Sequence, residues 1–190
     1  MSVQSIRPQL TEQDIERLMR GETPEQRASV AHRVCRRIAL DVLSDREKAF
    51  ADEIMGILAE DSADLVRRTL SVTLRNSPVL PRAIALKLAQ DIEAVAIPVL
   101  QDSPVFTDED LIELVLAVTA AKQAAIANRE TLSITLTEVI SEHGAVEAVR
   151  AASRNEGAEY SDKAFDDTLR RFGQDEIVQT GLIKREFIPT

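Results

Sequence analysis

Asn76-Ser77-Pro78-Val79-Leu80-Pro81 is the stretch that decides the fold, because it comes back. It returns as Asp102-Ser103-Pro104-Val105-Phe106-Thr107, and then as Asn128-Arg129-Glu130-Thr131-Leu132-Ser133. A fourth copy, one residue longer, is Asn155-Glu156-Gly157-Ala158-Glu159-Tyr160-Ser161. The copies start 26, 26 and 27 residues apart. A fixed period of that size is the signature of a chain that stacks one small unit on the next, a solenoid.

The motif has a physical grammar. Asn or Asp at its head tolerates a helix-ending conformation, because the side chain bonds nearby backbone. Pro two positions later, in the first two copies, stops a helix from continuing. Leu80, Phe106, Leu132 and Tyr160 then read as plugs buried between neighbouring units. Pro81, Thr107, Ser133 and Ser161 begin the next helix, Pro through its fixed φ and the hydroxyl residues as N-caps. Each copy therefore spells helix end, turn, plug, helix start.

The chain around the motif supplies the helices. Thr11-Glu12-Gln13-Asp14 reads as a cap with acids in the first turn, followed by Ile15, Leu18 and Met19 on one face. Thr23-Pro24-Glu25-Gln26 starts a second helix, with Val30, Val34 and Ile38 as its stripe and Arg33, Arg36 and Arg37 opposite. Ser44-Asp45-Arg46-Glu47 is a capping box before Phe50, Ile54, Ile57 and Leu58. Residues 1–10 read as a lead-in and residues 11–60 as a helical cap, covering the apolar end that a stack exposes. Residues 61–190 read as the repeats, continuous with the cap in one domain. A helix over 61–75 has Leu65, Val66, Thr69, Leu70 and Leu74 as its expected inner side. Helix pairs then follow at 81–90 and 93–101, 107–118 and 121–127, 133–142 and 145–154, and 161–172 and 175–184. Pro98 predicts that some second helices are short or irregular. No segment shows the alternation of a strand.

Composition narrows the class. Of the 190 residues, 44% are hydrophobic but only 3% aromatic, with no Trp. Such a core is built from Leu, Ile, Val and Ala, which suits closely packed helices. The net charge of −9 opposes attraction to nucleic-acid phosphates or anionic lipid. The single cysteine, Cys35, excludes an internal disulfide and fits a reducing cytoplasm. The N-terminus has no apolar run of the signal-peptide kind, and Glu113 breaks the run from Leu111 to Val118 far short of membrane-spanning length.

Further residues carry a resemblance. Leu58-Ala59-Glu60-Asp61, Val66-Arg67-Arg68, Asn76-Ser77-Pro78, Pro98-Val99-Leu100, Asp102-Ser103-Pro104 and Thr107-Asp108-Glu109-Asp110-Leu111-Ile112 are similar to the bacterial family called domain of unknown function 2336. Asn155-Glu156-Gly157-Ala158 fits it too, so the likeness runs over roughly residues 10 to 172. The repeat grammar also looks like the HEAT-like and leucine-rich-repeat-variant arrays. The resemblance implies an all-α chain, a HEAT-like right-handed α-solenoid of helix pairs behind an N-terminal cap. It implies no activity and no cofactor. The third copy departs from the pattern by lacking Pro.

Chemistry-bearing residues are sparse. His32 and Cys35 are spaced to meet on a helix, but a zinc site needs three or four ligands, and the other histidine, His143, is far along the chain. A Cys–His nucleophile would also need an orienting group and an oxyanion hole. The six glycines are scattered, so no phosphate-binding loop is legible. Acids are the most concentrated feature. Asp91, Glu93, Asp102, Asp108, Glu109, Asp110 and Glu113 fall in a stretch without Lys or Arg, from Gln90 to Ala121. First-turn acids serve the helix dipole. Stacked, they would also merge into a negative stripe that steers a basic partner. The expected function is a non-enzymatic protein–protein interaction scaffold or regulatory adaptor with a basic protein partner, in the cytoplasm, and a homodimer is compatible with it. The alternative is a HEAT-like enzyme or small-molecule binder of the lyase or nucleic-acid-processing kind, which would need a deep pocket with convergent polar groups.

Overall fold

The computed structural model describes residues 20–40 and 43–186, together with Gln13 and Glu16. The expected lead-in over 1–10 and most of the first cap helix over 11–19 lie outside the described residues. The described residues form eleven α-helices, which are α1 (Pro24–Leu40), α2 (Asp45–Ala59), α3 (Asp64–Leu74), α4 (Arg82–Gln90), α5 (Glu93–Asp102), α6 (Asp108–Ala117), α7 (Ala120–Ala127), α8 (Ile134–His143), α9 (Val146–Arg154), α10 (Asp162–Phe172) and α11 (Glu176–Glu186). The chain is all-α. Among the described residues the only β pairing is an isolated parallel bridge, Leu132 to Ala158.

The starts are set by the residues the sequence pointed to. Ser44 accepts from the Glu47 N–H and Thr107 from the Asp110 N–H, each in a complete capping box. Ser133 and Ser161 cap α8 and α10 through their hydroxyls. Pro81 sits one position before its helix rather than inside it. Each cap satisfies a backbone donor that would otherwise be orphaned at a helix start.

The helices pack in two rows. Odd-numbered helices stack on one another, α1 on α3, α3 on α5, and so on to α11, while α2 packs on α4, α6 on α8 and α8 on α10. From α1 onward both rows contain the N-terminal helices, so α1 and α2 are placed as an ordinary pair. Short connections at 91–92, 118–119, 144–145 and 173–175 alternate with longer ones at 75–81, 103–107, 128–133 and 155–161. Successive helices joined this tightly run antiparallel. The short connections therefore share one edge of the molecule and the motif-bearing long ones the other.

Small side chains let the rows approach. Ala85, Ala89, Ala96, Ala127, Ala148 and Ala152 are fully buried among Leu, Ile and Val. Leu80, Phe106 and Leu132 are buried as the plugs they were expected to be, whereas Tyr160 is half-buried and stacks under the Arg185 guanidinium. In the longer fourth copy Ala158, 5% exposed, lies opposite Leu132 instead.

Two expectations need correction. Pro98 does not make its helix irregular, and α5 runs unbroken through it. Proline there leaves the carbonyl of Ala94 without its helical donor, but Ala94 is exposed, so water reaches the vacancy. Burial of Val95, Ala96, Val99 and Leu100 holds the rest of the helix in place. On α3, Leu65 faces outward at 38% exposure and Thr69 is half-buried; Val66, Leu70 and Leu74 make the inner stripe.

Polar ties stitch the short-connection edge. Arg27 of α1 grips Asp61 at 2.7 and 2.9 Å, Arg67 of α3 grips Asp91 at 2.5 and 3.0 Å, and Arg150 of α9 holds Asp175 at 2.6 and 2.9 Å. Each aspartate also accepts a backbone N–H at the start of the next odd helix, from Ala63, Ile92 and Val178 respectively. The guanidinium hydrogen bonds hold all three carboxyls below their ordinary range, against the opposing effect of burial. Where α7 has no arginine, Gln123 does the same work, accepting the Ala145 N–H at 2.8 Å.

Candidate functional site: a groove across the long connections

The seven acids singled out in the sequence do not gather into one stripe. Asp91 and Glu93 lie on the short-connection edge, and the other five on or beside the opposite one. Asp91 is committed to Arg67, and Glu93 accepts the Thr119 hydroxyl at 2.8 Å. Asp110 is only 4% exposed, caps its own helix and is held by Arg82, whose hydrogen bonds keep its carboxyl low. Asp102 is half-buried with Arg75 at 2.9 Å. Asp108, Glu109 and Glu113 remain exposed. The arginines that neutralise this acidic stretch come from α3, the residue that follows it and the start of α4. They are one repeat upstream, so a reading of charge along the sequence missed them.

What the structure assembles instead is a groove of about 660 Å³ on the long-connection edge. One wall is the second motif copy, with Asp102, Pro104, Phe106 and Asp108; the other is the third copy from Arg129 to Ser133. Asn76 of the first copy and Glu159 of the fourth close the ends. Four carboxylates, those of Asp102, Asp108, Glu130 and Glu159, thus line a cleft with one guanidinium. That cation is already occupied. Arg129 donates to the carbonyls of Leu100 and Ser103 at 2.8 Å each, finishing the C-terminal end of α5. Burial pulls its pKa down, and the nearby Asp102 and Asp108 partly offset this.

Beyond Arg129, residues 131–133 of the third-copy wall are tied through main chain on one side only. Leu132 donates its N–H to the Gly157 carbonyl and accepts from the Glu159 N–H, both at 3.0 Å. The Asn155 side chain reinforces that border by donating to the carbonyls of Ala127 and Arg129. Gly157 is required here. A Cβ at that position would sit 1.9 Å from the Glu130 carbonyl oxygen. Sequence reasoning missed Glu130 and Glu159. The available signal was only that each falls within a copy of the motif.

The other candidates stay apart. Cys35 is fully buried in α1, and burial pushes its thiol up to about 12, so it is an inert core residue. His32 is exposed, 3.3 Å from the Thr73 hydroxyl, and His143 lies beside Glu142. Among the described residues no three His, Cys, Asp or Glu side chains converge as a metal site would need, and no helix is long and apolar enough to cross a membrane.

Residues 95–190 match the family described as an uncharacterised protein conserved in bacteria, DUF2336. The match covers just over half of the chain, and the chain belongs to this family. It begins later than the likeness read from the sequence and extends through α11. No curated protein and no solved structure matches the chain.

Proposed function

We propose that this member of the DUF2336 family is a HEAT-like right-handed α-solenoid that acts as a non-enzymatic interaction scaffold or adaptor, binding a basic protein partner in the groove across its long connections. The observation that carries this reading is the groove itself. Its rim is anionic, its single cation is consumed by main-chain carbonyls, and its walls are successive copies of one turn. Such a site recognises a complementary surface and lacks a convergent nucleophile or base. The two stacked rows support the solenoid description, since each pair contacts chiefly the pairs before and after it. A basic partner is favoured because negative potential in a cleft speeds the approach of positive charge.

The test reverses the exposed rim charges together, as Asp108→Lys, Glu130→Lys and Glu159→Lys. None of the three is buried, so the melting temperature should stay close to that of the native chain. Capture of the basic partner should weaken, its association should slow, and the salt dependence of binding should flatten. A triple variant that keeps its partners at native affinity would sink the proposal for this face.

A further inference from the structure

We infer that the groove takes its partner as an extended, lysine- or arginine-bearing segment that adds as a strand to the open backbone edge at residues 131–133. This rests on the interaction reading above and goes further, by assigning the conformation and chemistry of the bound segment.

The edge follows from the one β pairing among the described residues. Leu132 spends both of its main-chain polar groups on the fourth motif copy, through Gly157 and Glu159. In an extended chain the groups of successive residues point to opposite sides. The N–H groups of Thr131 and Ser133 therefore point the other way, toward the second copy, where the groove lies. Among the described residues neither N–H has a hydrogen-bond acceptor, nor does the Thr131 carbonyl have a donor. Ser133 is extended, at φ −66° and ψ 161°, and Thr131 is exposed. The edge is thus formed, held from behind and free in front.

The facing wall is equally unpaired. Pro104 has no N–H to give, and that of Val105 has no partner among the described residues. The third and fourth copies close on each other by a bridge, whereas the second and third leave a cleft of about 660 Å³. An unpaired strand edge is the standard receptor for an added strand: main-chain bonds give affinity, and alternate side chains enter the flanking pockets. Here those side chains would meet the exposed Asp108, Glu130 and Glu159, which selects cations at alternate positions. The aromatic edge of Phe106 and the apolar body of Leu111 line the same cleft and can hold the methylene stem of a lysine.

The probe is a fluorescein-labelled octapeptide of alternating lysine and threonine, titrated against the full chain. Its controls are the same peptide N-methylated on alternate residues, in both registers, and a glutamate–threonine counterpart. The lysine peptide should bind in a salt-sensitive way and shift the amide resonances of Thr131 and Ser133. N-methylation in one register should weaken it about tenfold, as expected for main-chain bonds lost without change of charge. The glutamate peptide should not bind. Equal affinity of the lysine peptide and both methylated forms would mean charge attraction alone and would overturn the strand mode. So would resonance shifts confined to another face, or no binding at all. These outcomes are separable from failure of the scaffold reading. That reading falls if capture of protein partners ignores the groove charges, and it stands if capture depends on them while methylation does not matter.

Discussion

The connection between α7 and α8 has two unlike borders. Toward the fourth motif copy it closes, with Leu132 exchanging two backbone hydrogen bonds across Gly157 and Glu159 and Asn155 reaching back over the joint. Toward the second copy the Arg129 side chain crosses to the Ser103 carbonyl but, among the described residues, no main-chain bond does, and a groove fills the interval. The same motif, repeated at nearly the same spacing, gives both results. The fourth copy differs in being one residue longer and in carrying glycine at its third position. Gly157 brings the backbone within contact of the Glu130 carbonyl, which no residue with a Cβ could do. At the open border the residue in Gly157's place is Glu130, which carries a Cβ and lacks glycine's ability to approach the neighbouring backbone.

The largest expected effect comes from breaking the open border at its plug. Phe106 is 8% exposed, and Phe106→Ala should destabilise the chain by about 3–5 kcal/mol in a denaturant melt. A loss under about 1 kcal/mol would mean that the plug does not hold its two repeats together.

Next is the closed border. Gly157→Ala forces a Cβ against the Glu130 carbonyl and should cost about 1–3 kcal/mol, as overpacking does. Exchange of the Leu132 amide should accelerate, since its acceptor is the residue displaced. An unchanged exchange rate would show that the bridge tolerates the shift and that glycine is not what closes it.

The smallest effect concerns the opposite edge, where Asp61, Asp91 and Asp175 take arginine bonds and the joint beneath the groove has none of this kind. These carboxyls bind a proton less readily in the folded chain than in the unfolded one. Their contribution is therefore complete above the ordinary aspartate value of 3.8 and is lost as pH falls from there through the depressed folded values. The melting temperature should be insensitive to these groups near neutrality and fall below about pH 4. In Arg67→Met the acid limb should be shallower, because Asp91 no longer has its strongest reason to stay charged. An acid limb identical to the native one would remove the pair from the account of stability.

Much of this architecture was legible. Helix starts at Ser44, Thr107, Ser133 and Ser161 could be named because a cap is a local event, decided by a hydroxyl and the backbone within three residues. The plugs Leu80, Phe106 and Leu132 were legible because the period placed them. What was hidden is non-local. Pro98 reads as a breaker until Ala94 is seen to be open to water. The acidic stretch reads as a free stripe until Arg67, Arg75 and Arg82 arrive from the preceding repeat to cover three of its members. Glu130 and Glu159 look like ordinary surface acids, since only the stacking of one turn on the next puts them in a common cleft.

The polar ties have a consequence for how the chain reaches its shape. Gln123 and Ala145 are 22 residues apart, Arg67 and Asp91 are 24, Arg150 and Asp175 are 25, and the longest rung, Arg27 to Asp61, spans 34. Loop-closure entropy grows only as the logarithm of the length closed. Every step of assembly therefore meets nearly the same entropic toll, and no two distant parts of the chain must find each other before a contact rewards them. A seed of two neighbouring helix pairs thus meets no larger closure cost at one end of the described chain than at the other.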